Sequence, residues 1–158
     1  MSNGTTVKKR NGRGVEPLNL EKIHVMCEEA CEGLAGVSAS QVEIQSGIQF
    51  YDGITTAEIQ EILIRSASDL IDLDHPNYQF VAARLLLFAL RKSLFGKMRE
   101  CPSVIDHVKK CVEKGVYDAE ILDLYSEEEY NKLQSFIDHS RDMIFTYAGL
   151  RQVVDKYL

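Results

Sequence analysis

The stretch Phe80-Val81-Ala82-Ala83-Arg84-Leu85-Leu86-Leu87-Phe88-Ala89-Leu90 leaves this chain the fewest choices, because only Arg84 interrupts its apolar side chains. Pro76 precedes it at a position where a helix can start, and Gly96 follows it where a helix can close. The pattern predicts a helix over about 76–95 that is apolar almost all round. Such a helix must be buried on most of its circumference, so the chain has to supply other helices to cover it.

The flanking sequence supplies them. Asn19 is suited to cap a helix over about 20–34, with Ile23, Met26, Cys27, Ala30 and Leu34 at helical spacing. A second helix is expected from a Ser38-x-x-Gln41 capping box to about Phe50, with Tyr51-Asp52-Gly53 as the turn. Thr55-x-x-Glu58 opens a third, whose stripe is Ile59, Ile62, Leu63, Ala67, Leu70 and Ile71. Residues 97–102 read as a connector. Beyond it the pattern is helical: Val104 to near Gly115, a helix capped by Ser126-x-x-Glu129 that carries Tyr130, Leu133, Phe136 and Ile137 on one side, and a last helix over roughly 142–157.

Residues 5–18 are the exception. Asn11-Gly12 is a strong hairpin-turn signal, because both positions accept positive φ. Pro17 cannot donate to a ladder, which keeps the second strand short or at an edge. The expected fold is mainly α: a small N-terminal β-hairpin lid over four helices, residues 1–96, and then a helical extension, residues 97–158.

Several function classes find no support. There is no GxxxxGK[ST] loop, no GxGxxG after a strand, no HExxH and no GxSxG. No window reaches 18 apolar residues and the first residues are polar, which predicts no membrane span and a cytoplasmic chain. Cys27 and Cys31 share a helix face and read as core, with no second ligand pair nearby to complete a metal site. The run Asp138-His139-Ser140-Arg141-Asp142 reads as a junction of caps and ion pairs; a catalytic Asp-His pair there would lack a nucleophile. The net charge of −6 is uneven. Residues 1–22 carry Lys8, Lys9, Arg10, Arg13 and Lys22 against Glu16 and Glu21. A basic patch on an acidic chain suits a compact anion such as a nucleotide phosphate better than duplex nucleic acid, which the remainder repels.

One constellation combines these charges: Val7-Lys8-Lys9-Arg10-Asn11-Gly12, then Glu16, Asn19 and Lys22, then Thr55-Thr56 at a helix start and Arg91-Lys92 at a helix end. Strand alternation puts Val7 and Lys9 on one face and Lys8 and Arg10 on the other. Glu16 can accept from an amino group, and Asn19 can donate and accept. Lys9, Lys22 and Lys92 supply positive charge, and the helix start at Thr55-Thr56 offers N–H groups to a phosphate. A solvated basic hairpin would account for the same residues.

Longer pieces carry a resemblance. Val7-Lys8-Lys9-Arg10-Asn11-Gly12, Leu18-Asn19-Leu20-Glu21-Lys22-Ile23, Ile48-Gln49-Phe50-Tyr51-Asp52-Gly53-Ile54-Thr55-Thr56 and Tyr78-Gln79-Phe80-Val81-Ala82-Ala83-Arg84 look like the N-terminal ATP-cone of class I ribonucleotide reductase large subunits. The likeness continues through Ile105-Asp106-His107-Val108, Gly115-Val116-Tyr117-Asp118 and Asp138-His139-Ser140-Arg141-Asp142-Met143 to Lys156-Tyr157-Leu158. It implies an overall-activity switch that binds ATP or dATP, accompanied by Mg2+, as an allosteric effector of ribonucleoside-diphosphate reductase. Carried over by motif, Val7, Glu16, Asn19 and Phe50 would surround the base. Lys9, Arg10, Lys22, Thr56 and Lys92 would hold phosphates, with Ile59, Gln60 and Ala89 near the ribose or behind it. Members that dATP inhibits often have histidine where this chain has Gln60 and Ala89, so weak dATP inhibition is the expectation, with hydrogen bonds from the Gln60 amide as the alternative that leaves the switch intact. The implied partners are the C-terminal remainder of the large subunit and the radical-generating small subunit. The family's catalytic barrel and its thiols lie beyond position 158. The chain is then a piece of a large subunit or one product of a split gene, with no catalytic residue of its own. The competing reading is a helical subunit-interaction module that has lost its ligand.

Overall fold

The computed structural model describes residues 5–9, 12, 14–47 and 49–158. It is mainly α. Strands β1 (Thr6–Lys8) and β2 (Val15–Pro17) precede helices α1 (Leu20–Cys31) and α2 (Ala39–Gly47). A two-residue strand β3 (Ile54–Thr55) leads into α3 (Thr56–Asp69), and α4 (Tyr78–Phe95) completes the N-terminal part. Helices α5 (Val104–Glu113), α6 (Glu120–Leu124) and α7 (Glu127–Gln134) follow, then a 3-10 helix, His139–Ile144, and α8 (Tyr147–Tyr157).

Helix α4 is the axis of the fold. Val81, Ala82, Ala83, Leu85, Leu86, Leu87 and Phe88 are all buried, as expected for a helix without a polar face. It packs against α1 and α3 on the N-terminal side and against α8 on the other. Leu150 of α8 belongs to the same hydrophobic cluster as the α1, α3 and α4 side chains, so the extension closes over α4 and completes its burial. Gly96 ends the helix in the left-handed conformation at φ 75°.

The hairpin is present, and Pro17 lies on its outer strand: the sheet order is β2-β1-β3, with β1 and β2 antiparallel and Val7 opposite Glu16. The turn residues Arg10 and Asn11 lie outside the described residues. The third strand was not expected. Ile54 and Thr55 pair in parallel with Val7 and Lys8, because the Tyr51-Asp52-Gly53 segment is stapled to β1. The Asp52 carboxylate accepts from the Thr6 N–H at 2.8 Å and from its hydroxyl at 2.6 Å, and the Gly53 N–H donates to Thr6 O at 2.9 Å. Gly53 has φ 79°, which a side chain would strain.

Three other expectations need correction. The Ser38-x-x-Gln41 box does not form, because the Tyr78 hydroxyl takes its place: it accepts the Ser38 N–H at 3.1 Å and donates to Gln41 Oε1 at 2.6 Å. Helix α8 begins at Tyr147, not near 142, because Asp138 captures the Ser140 N–H and Thr146 supplies the cap that accepts from Gly149 N. Leu133, Phe136 and Ile137 do not join Tyr130 in a buried stripe; they are exposed, and α7 ends at Gln134.

Candidate functional site

Helix α1 starts where the Asn19 side chain accepts the Lys22 N–H at 3.0 Å, two residues after the end of β2. Helix α3 starts at a complete capping box: Thr55 accepts from the Glu58 N–H at 3.2 Å, and the Glu58 carboxylate accepts from the Thr55 N–H at 2.8 Å. The Tyr51 hydroxyl donates to the other Glu58 oxygen at 2.9 Å. Together these hydrogen bonds, those from Thr55 first, hold the Glu58 carboxyl below the usual carboxylate range. Because β3 is hydrogen-bonded to β1, this helix start lies beside the hairpin.

The result is a cleft of about 760 Å³ between the hairpin, α1, α3 and the end of α4, a size suited to a small-molecule ligand (about 300–1,000 Å³). The hairpin side contributes Val7, Glu16, Pro17 and Leu18; the α1 side Asn19, Lys22, Ile23, Val25 and Met26; the α3 side Thr56, Ile59 and Gln60. Lys92 reaches in from the last turn of α4. Its sequence neighbour Arg91 turns the opposite way, buried, with its guanidinium 2.6 Å from Asp142. That one-residue step separates a cleft lysine from a structural arginine, and it ties α4 to the 3-10 helix of the extension.

Eight of the residues singled out from sequence therefore converge: Val7, Glu16, Asn19, Lys22, Thr56, Ile59, Gln60 and Lys92. Lys9 reaches the group through Glu16, with its ammonium 2.8 Å from the carboxylate. This hydrogen bond, reinforced by the charges of Lys9, Lys22 and Lys92, holds the Glu16 carboxyl below the usual carboxylate range. Lys8 points to the other face, where its side chain lies against Gly53. Phe50 and Ala89 do not line the cleft; both pack, partly buried, against the core. Arg10 lies outside the described residues.

Sequence reasoning missed one wall. The connector after α4 folds over the cleft and contributes Lys97, Met98, Arg99 and Glu100. Its charges pair locally, Lys97 with Glu100 and Arg99 with Glu29 of α1. Nothing in the spacing of residues 97–102 marks this, since a fold-back that rests on Met98 against the core and one ion pair to α1 has no periodic signature. A second, smaller cleft of about 290 Å³ lies where α4 meets α5 and α7, lined by Leu90, Leu94, His107 and Ile137 among others. Among the described residues no group of three or more His, Cys, Asp or Glu side chains is arranged to hold a metal ion, and no helix is long and apolar enough to cross a membrane. Burial pushes the Cys27 thiol up to about 12 and the Cys31 thiol up to about 11, which makes both poor nucleophiles.

Comparison with known proteins agrees over this region. The model of the ATP cone domain family matches residues 5–93. The whole chain is 51% identical to part of the ribonucleoside-diphosphate reductase 1 subunit alpha of Escherichia coli, of which it covers 20%. It is 49% identical over its full length to the corresponding subunit of Haemophilus influenzae, covering 21%, and 40% identical over 97% of its length to that of Helicobacter pylori, covering 19%. The chain thus spans about a fifth of the length of these relatives.

Proposed function

The chain belongs to the ATP-cone family, and from that premise we propose that its cleft binds ATP or dATP as the overall-activity effector of a ribonucleoside-diphosphate reductase large subunit. The observation that carries this reading is the convergence of Val7, Glu16, Asn19, Lys22, Thr56 and Lys92, from separate elements, on one cleft. Lys22 and Lys92, joined by Lys9, supply the positive charge for phosphates. The first turn of α3 at Thr56 adds backbone N–H groups that have no partner within the helix. Val7, Ile59 and Met26 offer apolar surface to a base, and Glu16 and Asn19 offer acceptors for its amino group. Mg2+ would enter with the phosphates it accompanies. Three or four charge-assisted contacts at roughly 1.5–3 kcal/mol each are enough, after ordering costs, for micromolar affinity, about −8 kcal/mol.

In this proposal the chain is a regulatory part and not a catalyst. Burial keeps the Cys27 and Cys31 thiols protonated, and radical chemistry on a ribose needs the catalytic barrel found in the remainder of such a subunit. The extension fits a role within a larger assembly: Leu124, Phe136, Ile144 and Leu158 are 62%, 75%, 70% and 76% exposed, apolar side chains that the rest of a large subunit would cover. A cytoplasmic setting, contact with the small subunit and a division near residue 96 are parts of the same proposal.

Calorimetric titration of the purified chain with ATP and with dATP tests it. Both nucleotides are expected to bind, within roughly tenfold of each other, about 1.4 kcal/mol. With Ala89 packed against the core, Gln60 is the member of that pair that lines the cleft, which leaves fewer contacts to distinguish one ribose hydroxyl, and an effector shifts an equilibrium only by its differential affinity. No heat and no saturation with either nucleotide would leave the helical interaction module as the better account.

A further inference from the structure

The positive side of the cleft contains its own anion. Glu16, in the middle of β2, accepts a hydrogen bond from Lys9, just past the end of β1, at 2.8 Å. Glu16 lines the cleft together with Lys22 from α1 and Lys92 from α4, and the fields of all three lysines reach its carboxylate. Three cations from three elements thus converge on one carboxylate. The pair is only partly shielded, with 44% of the Lys9 side chain and 34% of that of Glu16 exposed, so a competing anion in solution can reach it.

Two consequences follow from electrostatics. A ligand phosphate that shares Lys9 with Glu16 is held beside a carboxylate that repels it, so full engagement of Lys9 parts the pair. The cost of parting the pair is the same for every ligand, whereas the repulsion from Glu16 is outweighed by the attraction to Lys9, Lys22 and Lys92, which grows with the charge the ligand carries. We propose that Glu16 is a built-in counter-anion that sets a charge threshold for the cleft, admitting ligands with several negative charges and refusing a single orthophosphate. The inference takes the ligand class, a nucleoside polyphosphate, from the reading above, whereas the threshold itself rests on the Lys9–Glu16 geometry. Once a polyphosphate has taken Lys9, the Glu16 carboxylate is released as an acceptor.

The test is binding of inorganic tripolyphosphate, which has no base or sugar, to the 158-residue chain and to two variants at fixed ionic strength. Glu16→Gln keeps the side-chain shape and removes the charge. Glu21→Gln removes the same charge from the first turn of α1, on the wall of the same cleft, and controls for net charge. Glu16→Gln is expected to bind tripolyphosphate about fivefold to tenfold more tightly than wild type, and Glu21→Gln less than about twofold more tightly. Orthophosphate, which the wild-type cleft refuses, should bind measurably in Glu16→Gln. No gain in Glu16→Gln, or an equal gain in Glu21→Gln, overturns the proposal. A gain in Glu16→Gln alongside wild-type protein that ignores ATP would support the threshold while refuting the nucleotide reading, so the two can fail separately.

Discussion

Replacing Lys9 with alanine separates the energies at this cleft. A hydrogen bond from an ammonium to a phosphate contributes roughly 1.5–3 kcal/mol. In the wild-type chain that gain is reduced, because Lys9 first gives up Glu16, 2.8 Å away. Both partners are about a third or more exposed, and an ion pair of that kind contributes about 0.2–1 kcal/mol. The net cost of Lys9→Ala to ATP affinity is therefore about 0.5–2.8 kcal/mol, roughly twofold to a hundredfold in Kd. In a Glu16→Gln background no pair is surrendered, and the same substitution should cost the full 1.5–3 kcal/mol. Lys9 stands at an exposed strand end, so folding stability should change by no more than about 0.5 kcal/mol. Calorimetry on the four proteins of this cycle, at one salt concentration because exposed charges are screened, measures each value. Unchanged ATP affinity in both Lys9→Ala and Lys92→Ala would refute the phosphate assignment. An equal cost of Lys9→Ala in both backgrounds would refute the displaced ion pair.

Other consequences can be checked independently. Tyr78→Phe should destabilise the fold by about 1–2 kcal/mol in chemical denaturation, because the Ser38 N–H loses its acceptor while the exposed Gln41 turns to water; a change under about 0.3 kcal/mol would mean that water replaces the hydroxyl. His24 donates to Glu43 of α2 at 2.8 Å and lies 3.3 Å from Glu28, and the hydrogen bond to Glu43, with the charges of Glu28 and Glu43, raises its pKa above 6.5. Its stabilising contribution is complete below the unfolded pKa of about 6.5 and is lost as pH rises through the higher folded value. The stability gap between wild type and His24→Gln should therefore shrink from pH 6 to pH 8, and a gap that widens would reverse the assignment. The isolated chain, with or without a small subunit, should not turn over CDP, and measurable deoxynucleotide product would refute a purely regulatory role.

The parts of this fold that were legible in the sequence are those specified by local chemistry. The apolar run 80–90 required a central helix. The capping boxes Thr55-x-x-Glu58 and Ser126-x-x-Glu129 both form as their spacing implies. What was not legible depends on distant partners. Ser38-x-x-Gln41 has the same local pattern as the other two boxes, yet a tyrosine 37 residues from Gln41 takes up both of its groups. Strand β3 exists because Asp52 reaches Thr6 across 46 residues, and a two-residue strand has no periodicity to detect. In the cleft, the polar members could be named individually, and the family resemblance grouped them. The wall formed by Lys97–Glu100 is held by Met98 packing against the core together with the Arg99–Glu29 ion pair, contacts with no trace in local spacing. Arg91 and Lys92, adjacent and chemically alike in sequence, separate only when the rotation of α4 is known.

The account is tested most directly by locating the nucleotide on the protein. At 17.9 kDa, the chain is small enough for residue-resolved amide NMR during a titration with ATP. The account predicts saturable shifts centred on the amides of Val7, Glu16, Asn19, Lys22, Thr56, Gln60 and Lys92, with those of Leu94, His107 and Ile137 at the second cleft unmoved. Shifts centred on that second cleft or on the extension, or no shifts at millimolar ATP, would contradict it.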